Sequence, residues 1–88
     1  MSARVTITSS DQLGQVLQGA RKIAGLTQAG AAARLAISQS RISHMELNPE
    51  TINVAQLLAL LGAYELDLII ETREEHTEDN ALLDPLDW

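Results

Sequence analysis

The chain has 88 residues, a net charge of −6 and a pI near 4.6. With no cysteine, no phenylalanine, one tryptophan and one tyrosine, it holds neither a disulfide framework nor a thiolate metal site, and its core must come from Leu, Ile, Val and Ala. No charged-then-apolar leader opens the chain and no apolar run is long enough to span a bilayer, so one small cytoplasmic domain with a tail is expected, of a size often helped by oligomerisation.

Residues 1–9 lean towards β structure at Val5-Thr6-Ile7, as a frayed arm or with Ile7 stapling the first helix. Ser9-Ser10-Asp11 is an N-cap cluster, and a first helix is expected over 11–24. Leu13, Val16, Leu17, Ala20 and Ala24 share one face at 3/4 spacing, and Gly25 stops the helix. Arg21 falls on or near that apolar face.

From Gln28 to Glu46 the spacing is that of two short helices joined by a tight turn. Ala29, Ala32 and Leu35 mark the inner face of the first, with small Ala32 at the crossing; Ile37 opens the turn; Ile42 and Met45 mark the inner face of the second. Thr27 supplies a hydroxyl N-cap for one helix and Ser38 for the other, followed by Gln28 and Gln39 respectively. Outward on the second helix lie Gln39, Ser40, Arg41, Ser43 and His44, side chains able to address base edges or phosphates in a DNA major groove. Gln28 is expected on the backbone at the helix start, and Ser38 belongs to the same DNA-facing set. Charge divides accordingly. Up to Glu46 five basic residues face Asp11 and Glu46, for +3; beyond it Arg73 alone faces ten acids, for −9. A basic reading head joined to an acidic second part is the expected footprint.

These residues, LTQ followed by LAISQSRISHME and Asn48-Pro49, resemble the Xre-type, phage-repressor-like helix-turn-helix domains. Two positions depart from that pattern. Ala36 stands where the turn usually carries glycine, so a residue with a Cβ must take the tight exit, and Gly30 interrupts the first helix of the pair. The resemblance implies that Arg21 pairs with Glu46 at the end of the reading helix. A largely buried guanidinium needs such a carboxylate; the alternative is a solvated arginine at a helix C-terminus.

After the break at Asn48-Pro49-Glu50, Asn53 caps an apolar helix over 54–63. Val54, Leu57, Leu58, Leu60 and Leu61 cover more than one stripe of it, as in a central pillar or a dimer face, and Gly62 marks its end. In residues 66–72 the period becomes two: Leu66, Leu68 and Ile70 alternate with Asp67 and Glu71. That is a strand whose partner is the same strand of a second copy, giving a homodimer; a final helix is the alternative. Residues 73–88 are acidic, carry Pro85 and lack periodicity, so a disordered tail is expected, with Leu86 and Trp88 as a docking anchor or as cover for the domain itself.

A small Xre-type domain, then a strand of ELDLII type, then an acidic tail closing on Leu-Asp-Trp resembles the HipB-type antitoxins over nearly the whole chain, with only a few residues of the tail matching. That resemblance implies a twofold dimer that represses its own operon at double-stranded operator DNA. It further implies that the chain binds a HipA-type serine/threonine kinase toxin, with Leu86 and Trp88 as the toxin contacts. The fold class expected is mostly α: four to five helices, a C-terminal strand pairing across the dimer, residues 1–72 as the domain and 73–88 as the tail. A stand-alone Xre-type regulator without a toxin and a non-DNA-binding interaction module are the alternatives. With two histidines, no cysteine and no glycine-rich phosphate loop, neither an enzyme nor a cofactor or metal site is expected.

Overall fold

The computed structural model describes residues 4–73. Four helices follow in order, α1 over Ser10–Ile23, α2 over Gln28–Leu35, α3 over Gln39–Leu47 and α4 over Val54–Ala63, with a short 3-10 turn at Pro49–Thr51. Each helix opens on the side chain its sequence supplies. Ser9, Thr27, Ser38 and Asn53 accept hydrogen bonds from the backbone N–H groups of Gln12, Gly30, Arg41 and Gln56. At α4 the Gln56 side chain also accepts from the Asn53 N–H, closing a reciprocal pair.

Three helices end by one device. The chain turns left-handed at Gly25, Ala36 and Glu65 (φ 78°, 58° and 61°). The next residue then donates back five positions: Leu26 to Arg21, Ile37 to Ala32, Leu66 to Leu61. Those three donors are apolar and pack on the core. Each helix exit thereby aims one large side chain inward. Ala36 takes the strained exit expected of it; at Glu65, which carried no sequence signal, a non-glycine does the same.

The core consists of Leu17, Ala31, Ala32, Ile42, Met45, Leu60, Leu61, Ala63 and Tyr64. Two inner-face assignments change. On α2 the buried pair is Ala31 and Ala32, while Ala29 is exposed. Ala31, Ala32 and Leu35 share the face of α2 turned to the core, and the helical period leaves residue 29 outside it. On α1, Gly14 is buried where the helix crosses the 3-10 turn: a Cβ there would sit 2.5 Å from the Glu46 carbonyl oxygen and 3.2 Å from Pro49 Cγ. Pro49, expected only to break the helix, is itself buried.

Ile7 is 42% exposed and does not staple α1. A polar clasp stands there instead, in which the Thr8 N–H and hydroxyl both donate to Gln12 Oε1. Residues 66–72 form no helix, and no strand occurs among the described residues. The pairing expected of Leu66, Leu68 and Ile70 is with a second copy. Leu66 packs on the core while Leu68, Ile69 and Ile70 stay exposed. The expectations for Leu86 and Trp88 lie outside the described residues.

Candidate nucleic-acid interface

Helix α3 is held from behind by a buried polar cluster. Arg21 and Glu46 are the buried charges among the described residues. Arg21 Nε donates to Glu46 Oε2 at 2.8 Å, Nη2 to Oε1 at 3.2 Å, and Nη1 to the Leu26 carbonyl at 3.0 Å. The Tyr64 hydroxyl donates to Glu46 Oε2 at 3.0 Å. One carboxylate therefore ties α1, the end of α3 and the residue closing α4. No buried side-chain polar atom among the described residues lacks a partner, the condition under which a buried ion pair is tolerable. The hydrogen bonds to Glu46 hold the Arg21 guanidinium above its ordinary pKa, against the opposite pull of burial. Burial, and next the bond to Glu46, raises the Tyr64 phenol above its usual 10.0.

That shift has a readable sign. A phenol raised in the folded state contributes stability that is fully present below pH ~10 and lost as pH rises towards the folded pKa, because the unfolded chain ionises first. Stability should fall above pH ~10, and Tyr64→Phe should flatten the fall. Since Tyr64 is the chain's single tyrosine, phenolate absorbance reads it directly. Ionisation near pH 10 in the folded protein would show that the hydroxyl is not held as described.

The opposite side of α3 is open. With Ile42, Met45 and Glu46 buried, the helical period places Ser40, Ser43, His44 and Leu47 outward on one face, Gln39 on one edge and Arg41 on the other. Two clefts follow that division. Gln28, Gln39, Ser40, Ser43, His44, Leu47 and Asn48 line one, so the start of α2 and the face of α3 share a surface. Arg41 and Ser38 line the other, with Leu35, Ile37 and Gln56 towards α4. The sequence-predicted set is thus brought together around α3, Gln28 from α2 included, but divided between two clefts.

Individual side chains have further duties. The Ser38 hydroxyl caps α3 at 3.1 Å from the Arg41 N–H. Gln28 turns its amide towards Glu46 Oε1 at 3.5 Å, too long for a strong bond. Asn48 donates through Nδ2 to the His44 carbonyl at 3.3 Å, beneath the imidazole. Leu47, 67% exposed, and Asn48 join the cleft although sequence reasoning passed over them. Leu47 stands three and four residues beyond His44 and Ser43, a spacing that places it on the same face. No cluster of three or more metal-ligating side chains occurs among the described residues.

The helix-turn-helix family matches residues 17–69, more than half of the chain. Among solved structures the chain is similar to HipB in a HipB–O1–O2 complex, with 28% identity, a TM-score of 0.71 and coverage of 78% of this chain and 100% of that one. A HipA–HipB–O2–O3 complex and a HipB–O4 20mer complex each match at 27% identity and TM-score 0.72, covering 81% of this chain and 100% of theirs. No curated protein matches the chain. No helix among the described residues is long and apolar enough to cross a membrane. The chain belongs to the helix-turn-helix family, in its Xre-like form, and is HipB-like in fold.

Proposed function

We propose that the chain is a cytoplasmic, dimeric, sequence-specific DNA-binding repressor that serves as antitoxin to a HipA-type serine/threonine kinase and represses its own operon. The observation that carries this reading is the open face of α3, with Ser40, Ser43 and His44 outward and the amides of Gln28 and Gln39 beside them. Polar side chains on a short helix backed by a rigid ion pair suit readout of base edges in a major groove. The likeness to HipB in complexes with O1–O2 and with HipA supports both the DNA half and the kinase half. In the dimer, Leu66, Leu68 and Ile70 pair with their symmetry mates and set the reading helices about 34 Å apart, one turn of DNA. Leu86 and Trp88 are the toxin contacts in this reading.

The split between the edges of α3 supports a division of roles within the site. Ser40, Ser43 and His44 read bases, with Gln28 and Gln39 at their side, while Arg41, on the flank next to the Ser38 cap, holds phosphate. Titration of fluorescent DNA from upstream of the gene, at several salt concentrations, tests this. His44→Ala should weaken specific binding by about 1–3 kcal/mol and leave random DNA little changed. Arg41→Ala should weaken binding about equally on all sequences and reduce the salt slope by about 1. Adding a HipA-type kinase should give a larger complex on the same DNA. Unchanged binding by both variants would remove α3 as the reading helix, and a kinase that leaves the complex unchanged would leave a regulator without a toxin.

A further inference from the structure

Residues 4–8, the arm before α1, sit beside the segment proposed to pair between subunits. The Arg4 guanidinium forms an ion pair with Glu71, 67 positions away in sequence. The base of the arm is fixed by the Thr8 bonds to Gln12. The other segment is anchored at its start by buried Tyr64 and by the Leu66 N–H, which donates to the Leu61 carbonyl at 2.8 Å. Between these anchors Leu68, Ile69 and Ile70 are 55%, 57% and 77% exposed, and Val5 on the arm is 62% exposed. Two short apolar segments are therefore tied together at one end and left uncovered.

Charge is the second consideration. Residues 65–71 carry Glu65, Asp67 and Glu71 and no basic side chain. Pairing residues 66–72 with their own symmetry mate brings Asp67 and Glu71 of both copies together, with Glu65 just before them, and like charges across a strand pair are destabilising. A cation beside the segment offsets them; Arg73 follows it in sequence, and Arg4 is the one seen paired with Glu71.

We infer that the arm is part of the subunit interface: Arg4 neutralises Glu71 beside the paired segments, and Val5 extends the apolar face offered to a second copy. The inference rests on the dimer of the proposed function and names what that dimer needs beyond residues 66–72. Because the ion pair is exposed, its effect is modest and screened by salt.

Sedimentation equilibrium of the full chain at low salt is the test, with DNA absent. Arg4→Glu should raise the dimer dissociation constant about three- to tenfold, and the difference should shrink at high salt. The exchanged pair, Arg4→Glu with Glu71→Arg, should return the constant close to that of wild type. A wild-type dimer whose dissociation constant is unmoved by Arg4→Glu at low salt overturns the role of the arm while leaving the dimer intact. Loss on Arg4→Glu without recovery in the exchanged pair overturns the Arg4–Glu71 contact as its cause. A wild type that stays monomeric at all concentrations removes the dimer and this inference together.

Discussion

Replacing Glu46 by alanine should destabilise the protein by about 3–5 kcal/mol, because it leaves a buried guanidinium without its counter-charge. Arg21 is only 7% exposed, so water cannot replace the lost carboxylate without opening the packing of α1 against α3. Tyr64, 2% exposed, loses its acceptor in the same step. For a domain of this size the change corresponds to a fall of at least roughly 12 °C in Tm. Glu46→Gln should cost less, since an amide oxygen still accepts from the Tyr64 hydroxyl or from Arg21. The triple variant Arg21→Met, Glu46→Leu, Tyr64→Phe should recover much of the loss, because it removes the buried polar groups together. Thermal melts of these three proteins and wild type check the account. A Glu46→Ala protein that melts with wild type would mean that the cluster contributes nothing to holding α3.

Two glycines of α1 should respond in opposite directions to the same substitution. Gly19 has nothing within 4 Å of where a Cβ would stand. Alanine there gains helix propensity and should stabilise the protein by roughly 0.5–1 kcal/mol. At Gly14 the same methyl meets the Glu46 backbone carbonyl at 2.5 Å, and backbone cannot swing aside as a flexible side chain can. Gly14→Ala should therefore cost about 1–3 kcal/mol despite the same gain in propensity. The displaced carbonyl belongs to Glu46, so the substitution should also loosen the Arg21–Glu46 pair and reduce DNA affinity. Denaturant unfolding of the two variants provides a matched comparison. A Gly14→Ala protein at least as stable as wild type would mean that the close approach of α1 to the end of α3 is not a constraint on the fold.

Much of the architecture was legible in sequence because its signals are local. Ser9, Thr27, Ser38 and Asn53 each cap a backbone N–H three positions on, so their placement before an apolar-periodic run identifies the helix start without knowledge of the fold. The period of α3 sends Ser40, Ser43 and His44 outward once Ile42 and Met45 are inside. Arg21 on an apolar face already called for a carboxylate, and resemblance pointed to Glu46.

Other features needed the tertiary structure, for a common physical reason. Tyr64 with Glu46, Gly14 with Pro49 and Arg4 with Glu71 are pairs distant in the chain, and no periodicity relates their members. Tyr64 carried no sequence signal, yet it packs in the core and reaches 18 residues back to a buried carboxylate. Ala31 rather than Ala29 is buried because packing on the other helices decides which face of α2 turns inward, and in an alanine-rich helix composition offers no preference. The same holds for the reading face. Gln39 and Arg41 are both polar and outward on α3, and composition does not separate them. The helical period puts them on opposite edges of α3, but only the packed chain shows that the start of α2 borders the Gln39 edge and that the Arg41 edge faces a cleft shared with Leu35 and Gln56.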